Sequence, residues 1–77
     1  MVSKELFLKD FAELLSINDE ISMDTDLLDI DAWDSFSAVS FLAMVSKKYG
    51  IDAEPFAVAE AIFVDDLYHI VQGGKNN

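Results

Sequence analysis

Residues 35–49, SFSAVSFLAMVSKKY, contain no acid, glycine or proline and stop at Gly50. With each residue turned 100° from the last, Ala38, Phe41, Leu42, Val45 and Tyr49 gather within about ±60° of one direction. Phe36, Ser40, Ala43 and Lys47 fall on the opposite side, and Val39 lies between the two. The segment reads as a helix whose core stripe must be covered by other elements. Its first turns are apolar on both faces, so one apolar face is left to solvent. Gly50 has the place of a C′ glycine.

What can cover that stripe follows from the rest of the chain. Residues 3–16, SKELFLKDFAELLS, predict an amphipathic helix capped by Ser3. Phe7, Phe11, Leu14 and Leu15 form its stripe, and Lys4, Lys9, Asp10 and Glu13 lie away from it. Pro55 breaks any helix running into it, and AVAEAIF after it is long enough for one short helix. Residues 64–71, VDDLYHIV, predict a last helix with two acids at its dipole-positive end. Residues 17–34 carry seven of the fifteen acids and follow neither period, which predicts a long ordered loop. Ile21, Met23, Leu27, Leu28, Ile30 and Trp33 are expected to pin it. The expected fold is all-α: a small four-helix bundle with a long loop between helices 1 and 2 and a short third helix. One domain spans residues 1–72, and 73–77 form a flexible tail.

Seventy-seven residues without a cysteine allow neither a disulfide nor a thiolate metal site. A single histidine, His69, supplies too few nitrogens for zinc. Apolar packing alone must hold the fold, and 52% hydrophobic residues suffice for that. The net charge of −10, with no arginine, argues against nucleic acid and anionic membrane as partners. A basic protein surface is the natural complement. No apolar run approaches the ~20 residues of a membrane span, and the first residues do not resemble a signal peptide. The chain is expected to be cytoplasmic and monomeric.

The acidic loop does not match a calcium-binding register. An EF-hand loop needs a ligand at its fifth position, glycine at the sixth and glutamate at the twelfth. Counted from Asp24, these are Leu28, Asp29 and Ser35, and from Asp29 the fifth and twelfth are Trp33 and Ser40. Weak attraction of divalent cations by clustered carboxylates stays open. A nucleophilic serine needs a base within reach, and His69 close to the C-terminus is the one histidine on offer. There is no Gly-rich phosphate loop. The chain is expected not to be an enzyme.

Ser35, between Asp34 and Phe36, has three readings: a helix cap, a loop residue, or a point of covalent attachment. Asp and Ser are both strong N-caps, so either Asp34 or Ser35 is able to cap the helix. The glutamate or glutamine of a capping box is absent, with Ser37 or Ala38 in its place. An exposed hydroxyl beside an exposed Phe36 suits a modified group ringed by a docking surface. A phosphate ester there would sit at a helix N-terminus.

The sequence resembles the acyl carrier protein family, including its peptidyl and aminoacyl carriers. "DSF" at 34–36 is similar to the family's Asp-Ser-Leu/Met attachment motif, and WDSFSAVSFLAMVSKKYGI follows the family's second helix without a gap. "FVDDLYHIV" is similar to its final helix entry, with Phe63 in place of threonine. The resemblance covers roughly residues 3–72. It implies 4′-phosphopantetheine on Ser35, transferred from coenzyme A by a phosphopantetheinyl transferase that Asp34 helps to engage. It also implies partner contacts at Phe36, Val39, Ser40 and Ala43. The function implied is a discrete carrier of acyl thioesters for fatty acid, polyketide or related biosynthesis, serving acyl-transferring, synthase or ligase enzymes with basic surfaces. The alternatives are an aminoacyl or peptidyl carrier charged by an adenylating ligase, or an unmodified acidic helical adaptor. One departure stands out: no acid lies between Asp34 and Asp52, where fatty-acid members carry glutamates. Ser37, Ser40, Ser46, Lys47 and Lys48 stand there instead. Recognition should therefore lean on the loop acids, Phe36 and Val39. The resemblance also implies an interior lined by the core stripe that shelters short acyl chains, and the bulk of Phe41, Met44 and Tyr49 leaves its depth open.

Overall fold

The first helix, α1 (Lys4–Leu15), begins where the Ser3 hydroxyl accepts the Leu6 N–H at 3.1 Å, as the sequence predicts. The computed structural model describes residues 2–17, 20–73 and 75–76; Asn18 and Asp19 of the expected loop lie outside the described residues. After the loop come α2 (Ser35–Met44), α3 (Pro55–Glu60) and α4 (Val64–Gly73). α1 packs on α2, α2 on α3 and α3 on α4, so the chain is the small all-α bundle expected.

Aromatic rings fill the centre. Phe7, Phe11 and Phe41 are fully buried, and their centroids lie 6.0–6.1 Å from one another. Trp33 closes one side, 5.6 Å from Phe11 and 6.0 Å from Phe41, and Tyr68 of α4 lies 5.4 Å from Phe7. Most of these pairs are edge-on or tilted, the arrangement the ring quadrupole favours. Val45 of the α2 stripe is buried as well, and Ala38, Leu42 and Tyr49 are half-buried.

Four local expectations need correction. The second helix does not stay α-helical to residue 49: Val45–Tyr49 form a π-turn, closed by Gly50 at φ 67°. That turn carries Lys48 and Tyr49 onto α1. There Asp10, expected on the solvent side, is buried at 7% exposure. Its carboxylate accepts the Tyr49 hydroxyl at 2.6 Å and Lys48 Nζ at 3.3 Å, which offsets the cost of burying a charge. The third helix starts at Pro55 rather than after it, because proline at the first helical position loses no hydrogen bond. Leu28, expected to pin the loop, is 88% exposed; in the 3-10 turn Leu27–Asp29 it is Leu27 that turns inward.

Ile21, Met23, Leu27, Ile30 and Trp33 pack in or against the core as expected, and a backbone seam joins the loop to the α3–α4 connection. Leu27 N–H donates to Ile62 O at 2.8 Å, Val64 N–H to Thr25 O at 3.0 Å and Asp65 N–H to Met23 O at 2.9 Å. Asp26 and Phe63 face each other in an antiparallel bridge. Asp66 accepts the Ile62 and Phe63 N–H groups, both at 3.0 Å. Two residues after Gly50's turn, Ile51–Asp52 (β1), pair antiparallel with Lys75–Asn76 (β2). Of the segment expected as a tail, Gly73 ends α4, and positions 74 and 77 lie outside the described residues.

Burial, and then the hydrogen bond and charge of Asp10, push the Tyr49 phenol above its ordinary value of 10.0. The folded state therefore holds this proton where an unfolded tyrosine has released it. The resulting stability is complete below about pH 10 and is lost as pH rises beyond it. Tyr49→Phe is expected to cost about 2 kcal/mol near neutrality, since a hydrogen bond to a charged group is removed. Urea titrations at about pH 8 and about pH 10.5 should show a smaller alkaline loss in this variant than in the parent.

Candidate functional site

The loop delivers Trp33 and Asp34 to the start of α2 through a hydrogen bond from Trp33 N–H to Ile30 O, 3.0 Å. Asp34 is extended, at φ −149° and ψ −170°, and is the N-cap. Its Oδ1 accepts the Ser37 N–H at 2.9 Å, while Asp34 N–H donates to Ser37 Oγ at 2.7 Å. That is a complete capping box with serine in the role usually taken by glutamate. The absence of glutamate or glutamine was therefore no argument against a cap. Ser37 turns inward, buried at 8%, and its hydroxyl proton is within reach of Ala32 O at 2.9 Å. It is not part of the polar surface that replaces the missing glutamates.

With Asp34 as cap, Ser35 is the first helical residue and not the cap. It is exposed, and its hydroxyl makes no hydrogen bond to any described residue. Hydrogen bonds from the Ser37 N–H, the Ser37 hydroxyl and the Phe36 N–H hold the Asp34 carboxyl below the usual carboxylate range, against a smaller opposing effect of desolvation. Asp34 is thus a fixed negative charge one residue from a free hydroxyl. Its contribution to stability is present above the ordinary carboxylate range and is lost on acidification through the lowered value. Asp34→Ala is expected to lower the melting temperature by a few degrees, and Asp34→Asn, which keeps an acceptor, by much less. A melting series on the two variants separates cap from charge.

Beside Ser35 opens a cleft of about 380 Å³ between α2 and α3. Ala38, Val39 and Leu42 line one wall and Pro55, Val58 and Ala59 the other. Trp33, Asp34 and Ser35 complete its lining, so its polar end is the DS pair itself. The volume is at the small end of the ~300–1,000 Å³ of ligand pockets. None of the packed rings of Phe7, Phe11 and Phe41 lines the cleft, and Trp33 is the one aromatic of that cluster at its wall.

Of the other residues singled out, Phe36 is 79% and Val39 65% exposed, Ala43 is exposed, and Ser40 is half-buried. Of the four, Val39 lines the cleft, while Phe36, Ser40 and Ala43 do not. Phe56, next to Pro55 at the start of α3, is a further exposed aromatic at 77% exposure and was not singled out from sequence. The signal was available: a six-residue helix cannot bury an apolar residue on every side. His69 is exposed on α4, and its Nδ1 lies 2.9 Å from Asp65 O and 3.3 Å from Asp65 Oδ2, one turn earlier. Among the described residues no three acidic or histidine side chains are gathered as metal ligands. No described helix is long and apolar enough to cross a membrane. A scan against protein-family models and searches of curated proteins and of solved structures find no match to this chain.

Proposed function

We propose that this chain is an acyl carrier protein of the family it resembles, modified with 4′-phosphopantetheine on Ser35. One observation carries the reading: Asp34 and Ser37 satisfy each other in the cap, so the Ser35 hydroxyl is free at the edge of an apolar cleft. A serine needed for capping has its oxygen engaged. This one does not.

The residues present fit the group. Ser35 supplies the oxygen for the phosphodiester, at the start of a helix whose dipole favours an anion. When bound, the group supplies a terminal thiol that holds acyl chains as thioesters. Val39, Leu42 and Val58 offer apolar shelter to a compact chain beside the attachment point. Phe36 and Val39 provide apolar contact for partner enzymes, and the loop acids attract their basic surfaces. With no acid on α2, a dedicated polyketide, nonribosomal peptide or modified-acyl pathway fits better than general fatty acid synthesis. No catalytic group is assigned to the chain.

The test is intact mass after incubation with coenzyme A, Mg²⁺ and a broad-specificity phosphopantetheinyl transferase. A gain of one phosphopantetheine is expected. A chain that starts unmodified and stays so with several transferases overturns the reading and leaves an acidic helical adaptor.

A further inference from the structure

The Ser37 hydroxyl accepts the Asp34 N–H at 2.7 Å, and its own proton has three acceptors within reach: Ala32 O at 2.9 Å, Asp34 O at 3.1 Å and Asp34 Oδ1 at 3.1 Å. The Ser37 N–H donates to the same Asp34 Oδ1 at 2.9 Å. One side chain thus joins the end of the loop, the cap and the helix. The segment it closes, 32–37, contains the attachment serine. Ser37 is only 8% exposed, whereas Asp34 and Ser35 are both exposed. A transferase meets the pair, while the group that holds the pair is covered.

We propose that Ser37 is a positioning residue for the loading of Ser35, holding the Asp34 carboxylate and the Ser35 hydroxyl in the one relative geometry that the transferase binds. The inference rests on the carrier reading. In loading, Ser35 Oγ forms a bond to the pantetheine-bearing phosphorus of coenzyme A and the pyrophosphate P–O bond breaks. Adenosine 3′,5′-bisphosphate leaves, and the serine proton passes to a base on the transferase. Asp34 is ill suited to be that base, since hydrogen bonds from the Ser37 N–H and hydroxyl favour its charged form. Its part is to meet a cation on the transferase, and a charge serves recognition best when its direction is fixed. Without the Ser37 hydroxyl, the Asp34 N–H loses its acceptor and Ala32 O its donor. The chain on the loop side of Ser35 then loosens, while the Ser37 N–H still caps the helix.

The test follows loading by intact mass at varied concentrations of the chain, with coenzyme A and Mg²⁺ saturating. It is run at a temperature where circular dichroism shows every variant folded. Ser37→Ala is expected to load to completion, with the KM for the chain raised about tenfold and kcat within about twofold of the parent. Ser37→Thr, which keeps the hydroxyl, should load within about threefold of the parent. Asp34→Ala removes the group being held, so adding Ser37→Ala to it should lower kcat/KM less than about twofold further. Tyr49→Phe loses a hydrogen bond on α1 rather than at the cap and should load as the parent does, which separates positioning from stability. Where Ser37→Ala does not fold, Ser37→Cys, with its weak donor, is read in its place and should still raise KM at least about threefold. A folded Ser37→Ala or Ser37→Cys with the parent's KM overturns the proposal. So does a Ser37→Thr as slow as Ser37→Ala, an undiminished cost in the Asp34→Ala background, or an equal loss in Tyr49→Phe. A parent that no transferase loads overturns the carrier reading and this inference with it, whereas a parent that loads beside an unaffected Ser37→Ala overturns this inference alone.

Discussion

Ser35→Ala is expected to abolish phosphopantetheine loading completely while leaving the fold as stable as the parent, within about 0.5 kcal/mol. The two halves of that result come from the same geometry. Ser35 makes no hydrogen bond among the described residues, and the cap is closed by Asp34 and Ser37 without it. Alanine is also a good helix former at an exposed first-turn position. Intact mass reads the loading, and a urea titration reads the stability. Had Ser35 been the cap, the same substitution would cost about 1 kcal/mol of stability. Ser37→Ala supplies the converse. It removes the hydroxyl half of the capping box and leaves a part-buried carbonyl, Ala32 O, without its donor, so it should lower stability while the variant can still be loaded.

Phe41→Ala is expected to cost about 3–5 kcal/mol, the largest stability effect of any substitution discussed. Phe41 is fully buried and packs edge-on against Phe7, Phe11 and Trp33 at 6.0–6.1 Å. Rings held by three neighbours cannot collapse into the vacated space. A domain of this length has about 4–12 kcal/mol of stability in all, so the variant should be close to unfolding at room temperature. Phe36→Ala is the built-in comparison: same residue type, same helix, 79% exposed, and an expected change within about 0.5 kcal/mol. Its effect should appear in partner turnover instead. Circular dichroism melts of the two variants would distinguish them, and similar melting temperatures would contradict this picture of the core.

What could be read from the sequence was whatever depends on neighbours a turn away. The stripes of α1 and α2, the Ser3 cap, the Gly50 stop and the exposed Phe36 all follow from local spacing. Asp10 could not be placed that way. Its partners Lys48 and Tyr49 lie 38 and 39 residues further on, and a π-turn aims them at it. Ser37 was within local reach and was missed, because the capping-box pattern is usually stated for glutamate and glutamine. A serine hydroxyl meets the same geometry. The candidate site was half legible: the DS pair and the outer apolar face appear in the sequence, while the cleft needs α3 set against α2.

The seam between the loop and the α3–α4 connection divides the molecule into a firm part and a soft one. Leu27, Val64 and Asp65 are tied across 35 to 42 residues of chain by backbone hydrogen bonds, so their amides open only when α4 and the loop part together. α3 has six residues and one buried side chain, Val58, and its first residue has no N–H to donate. α3 is therefore expected to exchange its amide hydrogens sooner than the seam, and an opening of α3 would move one wall of the Ser35 cleft while the seam holds.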